Sequence, residues 1–176
     1  MKTILKILGI LIVLAILYAV FAMVAFGNKY HFERSVVINA PKEKVWEHVG
    51  STKAFNTWNP FIKPDKNIAI SYSGTSGEVG DSYKWKGNND VGEGVQTVTA
   101  VTPNEKITSK LHFIRPFEGE AVANFILTPE GNGTKVTWTM DDELSTMMKP
   151  MKPMMDSQMG KTFDQGLGEL KKLTER

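Results

Sequence analysis

Cysteine is absent from the 176 residues. That excludes a disulfide scaffold, a thiol nucleophile and any metal site built on thiolates. Histidine is scarce: the set is His31, His48 and His112. None stands at metal-ligand spacing from another, so no metal is expected and each reads as a surface residue. Charge of one sign is not in excess either. Lys and Arg number 21 against 19 Asp and Glu, with a net charge of +2. No long basic run appears, which makes nucleic acid a poor partner. Two glycine-rich stretches fail as signatures. Gly92-Glu93-Gly94 has Thr97 where a dinucleotide loop needs its third glycine, and no helix follows. Gly74-Thr75-Ser76-Gly77 is followed by Glu78 where a nucleophile elbow needs glycine. Asp141-Asp142-Glu143 reads as a solvated acidic run, and Asn132-Gly133-Thr134 as a hairpin turn.

What is present begins with one long apolar run. Ile7 to Phe26 holds no charge and no proline. At 1.5 Å per residue, about 20 residues cross a hydrocarbon layer of ~30 Å. A cleaved signal peptide has a shorter apolar stretch, and its candidate small-x-small site, Val20-Phe21-Ala22, lies inside this run. The reading is therefore a retained single-pass anchor, with the membrane as a partner through Ile7 to Phe26. Met1 to Lys29 form the anchor and Tyr30 to Arg176 one further domain, long enough for a core. Orientation has two readings. Lys29, Arg34, Lys42 and Lys44 after the run outnumber Lys2 and Lys6 before it, which favours a cytoplasmic domain. A short basic segment ahead of a long apolar one resembles a signal anchor, which would export it, and export is the reading adopted.

Beyond the anchor, turn residues punctuate alternating segments. Tyr30 to Asn39 is β-rich and stops at Ala40-Pro41. Proline suits a first helical turn, and Lys42 to Val49 places Val45, Trp46 and Val49 on one face. Ser51 to Trp58 reads as a second short helix, stopped by Asn59-Pro60, and a mostly polar loop runs to Asn67. Strands are expected over Ile68–Ser73, Ser82–Lys86, Gly94–Val101, Lys106–Ile114, Ala121–Thr128 and Thr134–Asp141. From Pro153 on, Met155, Met159, Phe163, Leu167 and Leu170 form an amphipathic helical stripe. Adjacent strands with short turns predict an α+β class: an antiparallel sheet with helices on one face, curving around the long last helix.

Several stretches, taken in this order, resemble the SRPBCC, or START-like, superfamily, and within it the polyketide cyclase/dehydrase-like group. They are Ile38 to Val49, Trp58-Asn59-Pro60, Val79 to Gly87, Thr97 to Ile107 and Phe125 to Met140 ahead of the last helix. The resemblance spans Tyr30 to Arg176. It implies a helix-grip fold with an apolar cavity. It implies no catalytic residue, because the superfamily shares no catalytic constellation and the fold hosts carriers, cyclases and interaction modules alike.

Strand alternation supplies candidate cavity walls. Tyr83, Trp85, Phe125 and Trp138 alternate with mostly polar neighbours, and Gln96 and Ser109 occupy the apolar phase of their strands as polar anchors. Met155, Met159 and Phe163 would close the hollow from the helix. Met140, Met147, Met148, Met151 and Met154 crowd the same region, as core filler or as a soft wall. Gly160 and Gly166 add no bulk, which leaves either room for a ligand or close packing. The expected function is binding of an apolar or amphipathic small molecule, lipid or polyketide-like, in a hollow between sheet and last helix, with no cofactor. The alternatives are a cyclase or dehydratase, or a stress or interaction module whose hollow is filled by its own side chains. The sequence names no protein partner.

Overall fold

The computed structural model describes residues 2–176. Helix α1 (Lys2–Ala25) leads directly into strand β1 (Lys29–Ile38), then the short helices α2 (Lys42–Val49) and α3 (Thr52–Phe55). Six strands follow: β2 (Ala69–Ser73), β3 (Ser82–Lys86), β4 (Glu93–Thr102), β5 (Lys106–Arg115), β6 (Gly119–Glu130) and β7 (Gly133–Glu143). A 3-10 helix (Thr146–Met151) runs into α4 (Lys152–Thr174). The element order is the one the sequence pattern predicts. The second short helix is the exception: it closes at Phe55, and Asn56 to Trp58 turn instead.

The strands form one antiparallel sheet in the order β1-β7-β6-β5-β4-β3-β2. Chain neighbours are sheet neighbours except at β1, which pairs with β7. Each inward strand buries alternate residues, as in β3 where Tyr83 and Trp85 are buried between exposed lysines. Charged partners occupy the outer face: Lys110 Nζ lies 2.9 Å from Glu120, and His31 Nδ1 2.6 Å from Asp141 Oδ1.

The two short helices are pinned by side chains. Ser51 caps α3 by accepting from the Ala54 N–H at 3.1 Å. Buried Asp81 accepts from the Thr52 N–H at 2.9 Å, the Thr52 hydroxyl at 2.6 Å and the Gly77 N–H at 2.9 Å. Trp58, fully buried, donates its indole N–H to the His48 carbonyl at 2.9 Å.

Helix α4 lies across the concave face, burying Gly160, Phe163, Gly166, Leu167 and Leu170. A Cβ at Gly166 would stand 2.9 Å from Pro60 Cγ and 3.0 Å from Trp138 Cζ3. Glycine there is a condition for the close approach of helix to core. Gly160 does not face the hollow: a Cβ there would point at Arg34 and Phe32 on β1. Close packing explains Gly166; beside Gly160 the nearest group is the movable Arg34 guanidinium.

α1 is the one helix among the described residues long and apolar enough to cross a membrane. Its side chains from Ile4 to Leu17 are exposed to solvent. Only the last turns touch the rest of the chain. Ala22 is fully buried, the Tyr18 hydroxyl donates to the Pro150 carbonyl at 3.0 Å, and Lys149 Nζ donates to the Met23 carbonyl at 3.2 Å.

Candidate functional site

The concave side of the sheet divides into two halves. Against α4, aromatic rings fill the space. Trp138 stacks on Phe163 with centroids 4.0 Å apart, and Phe55, Trp58, Phe61 and Phe125 surround Trp138 at 5.0–5.8 Å. Beneath the Asn59–Ile62 segment, between β3, β4, β5 and β6, an apolar cavity of about 130 Å³ remains. Its walls include Tyr83, Trp85, Leu111, Phe113, Ala123 and Met140, and Val91 and Asp90 of the β3–β4 turn stand at its edge. A cavity of that size holds a single ring; one of ~150 Å³ accommodates benzene.

Of the nine residues expected at the site, five line this cavity: Tyr83, Trp85, Gln96, Phe125 and Trp138. Ser109 lines a much smaller space beside it, which Gln96 and Phe125 also border. Met155 and Met159 do not reach the cavity. They line an outer groove with Pro60, Phe61, Asp90 and Gln158, because Phe61 stands between the helix and the interior. Phe163 is buried under Trp138 and does not line this cavity. The hollow against the C-terminal helix is thus filled, and the open space lies further along the sheet. The sequence reading missed Asn59, Phe61 and Ile62, which come from a stretch with no period to betray its inner face. Leu111 and Ala123 were missed too, although strand alternation pointed them inward.

The polar groups inside form a directed chain. Asn59 Oδ1 accepts from the Phe61 N–H at 3.0 Å, which fixes the amide. Asn59 Nδ2 donates to Asn56 Oδ1 at 2.9 Å and to the Tyr83 oxygen at 3.3 Å. The Tyr83 hydroxyl then donates to Gln96 Oε1 at 3.2 Å. Each link uses a donor on an acceptor, and the chain ends at Gln96 Nε2. Among the described residues no protein group accepts from that nitrogen, although Gln96 is only 6 % exposed. Burial pushes the Tyr83 phenol well above its usual range, so it stays protonated at neutral pH. No cation lines the cavity; besides Tyr83, the ionisable residue of the lining is Asp90.

A curved antiparallel sheet gripping a long helix over an interior cavity defines a helix-grip domain, as the sequence resemblance implied. The sequence profile of the polyketide cyclase/dehydrase and lipid transport family matches residues 29–175, and the chain belongs to that family. Solved structures share the fold at low identity. A Thermobifida fusca protein is 21 % identical with a TM-score of 0.60, covering 82 % of this chain and 92 % of its own. A Chromobacterium violaceum protein is 16 % identical with a TM-score of 0.59, covering 85 % and 98 %. The Aha1 dimer from Colwellia psychrerythraea is 20 % identical with a TM-score of 0.56, covering 83 % and 96 %. No curated protein matches the chain significantly.

Proposed function

We propose that the domain binds a neutral, mostly apolar small molecule, a ring-sized part of which enters the cavity carrying an oxygen acceptor. The observation that supports this is the Gln96 amide nitrogen, left without a protein partner at the end of a neutral chain of donors. A carbonyl or hydroxyl oxygen on the ligand would give that amide an acceptor, a net gain of about 0.5–1.5 kcal/mol. An anionic headgroup is disfavoured. It would shed its water against a wall with no cation, with Asp90 adding a like charge at the edge. α1 holds this binding domain at a membrane, with Ile7 to Phe26 in the hydrocarbon. The family's lipid-transport description and the apolar walls point the same way.

The test uses three ring compounds of similar size: cyclohexanone, cyclohexane and cyclohexanecarboxylate. The full chain in detergent is titrated while the Gln96 side-chain amide and Trp85 indole resonances are followed by NMR. Cyclohexanone is expected to shift both and to bind more tightly than cyclohexane, and the carboxylate to bind most weakly. Ala123→Leu, which puts a branched side chain into the cavity, is expected to weaken cyclohexanone binding at least about ten-fold, the equivalent of ~1.4 kcal/mol. Tighter binding of the carboxylate than of the ketone would refute the proposal.

A further inference from the structure

The contacts of α1 set the depth at which the domain sits. Ala22 is buried against the 3-10 segment, and Ala22 lies four residues before Phe26, the end of the apolar run. At 1.5 Å per residue that is about 6 Å inside the hydrocarbon boundary. The run cannot be shortened to lift the segment clear. Ile7 to Tyr18 alone would reach only about 18 Å, well under the ~30 Å a span requires. Whatever packs on Ala22 is therefore carried into the membrane surface with it.

The residues that pack there suit that depth. Met147 is 80 % exposed and Met154 56 % exposed, with Met151 between them also exposed. The segment's two lysines are turned away from the surface. Lys149 is buried and donates to the Met23 carbonyl, one of the α1 carbonyls that the helix itself leaves unpaired. Lys152 bonds Asp156 at 3.1 Å and sits over the Tyr30 ring at 5.0 Å. Facing outward are Met147, Met151 and Met154, flexible unbranched side chains of the kind that pack among acyl chains, together with Thr146 and Pro153.

We infer that Thr146–Met154 lies at the headgroup–acyl boundary of the bilayer that α1 crosses, seating the domain on the membrane through its methionines. The inference rests on reading α1 as a membrane span. It concerns a lipid surface as partner, at the 5–10 Å depth typical of interfacial segments. It also fixes which end of the sheet faces the lipid. Tyr30, the second residue of β1, shares one cross-strand row with Asp142, Ala121, Leu111, Gln96 and Tyr83. The cavity's polar chain thus lies level with the start of β1, at the membrane end of the domain.

The absence of native cysteine makes the test clean. Single variants Met147→Cys, Met154→Cys, Val13→Cys and Asn132→Cys of the full chain are labelled with a polarity-sensitive fluorophore. They are reconstituted into phosphatidylcholine vesicles carrying spin-labelled lipid, with the nitroxide either near the headgroup or deep in the chain. Labels at 147 and 154 are expected to lose most fluorescence to the shallow nitroxide, the label at 13 to the deep one, and the label at 132 to neither. If the label at 13 is quenched while 147 and 154 behave like 132, the span stands and the seating is overturned. If the label at 13 is not quenched, the span itself fails and the inference with it.

Discussion

The two halves of the concave face were built by one rule and ended differently. In both, strand alternation turns aromatic residues inward. Against α4 they meet a helix that glycine lets approach, and Trp138, Phe163 and Phe61 close the space. Under the Asn59–Ile62 segment no helix descends, and Ala123, small among the lining residues Leu111, Phe113 and Trp85, leaves space on the sheet's face. The difference shows that an inward-facing aromatic is not evidence of a cavity. Whether space remains depends on what covers the face, and that is decided by elements far away in the chain.

Breaking the filled half has the largest expected effect. Trp138→Ala removes a ring that touches five other aromatic residues. It is expected to cost about 3–5 kcal/mol in urea denaturation of the full chain in detergent. A loss under about 1 kcal/mol would mean the rings are not tightly packed.

Two glycines of α4 sharpen the contrast on a finer scale. Alanine at a helix-interior glycine gains up to about 1 kcal/mol from backbone propensity alone. At Gly168 a Cβ meets nothing within 4 Å, so Gly168→Ala is expected to stabilise by that amount. At Gly166 the Cβ meets the rigid rings of Pro60 and Trp138 at 2.9–3.0 Å. Overpacking of that kind costs about 1–3 kcal/mol, so Gly166→Ala is expected to destabilise on balance. Equal signs for the two variants would remove the argument that glycine sets the helix's approach.

The smallest effect lies on the outer face. The hydrogen bond that His31 donates to the Asp141 carboxylate raises the imidazole above its ordinary pKa. A raised folded-state value means that the pair's contribution is fully present below the unfolded value of about 6.5. It is lost as pH rises through the folded one. NMR titration of the His31 ring should show a midpoint above 6.5 that falls in Asp141→Asn. Both groups are about half exposed, so little global stability follows.

Much of this architecture was legible before the structure. Strand ends fell where Gly-, Asn- and Pro-containing turns stand, and the period-two pattern of Tyr83 and Trp85 or Val136 and Trp138 named the buried face. The helix stripe located α4. What could not be read was depth. Met155, Met159 and Phe163 share one helical stripe, yet Phe163 is fully buried under Trp138 while the two methionines pack on the rim of the core beside Phe61, which comes from an aperiodic segment. Gln96 stood out as a polar residue in an apolar phase. Asn59, which reaches Gln96 through Tyr83, lay in a Trp-Asn-Pro element that read as a helix stop and a mark of the family, not as part of a site.

The pairing of β1 with β7 has a consequence for the order in which the molecule is made. Lys29 waits for Glu143, its partner across the ladder. At 5–20 residues per second, the intervening chain takes roughly 6–23 s to emerge from a ribosome. α1 is complete long before that. The 3-10 segment on which α1 packs is made later still, so the first strand keeps an unpaired edge until the last strand synthesised closes the sheet, and only then can α1 dock on the domain.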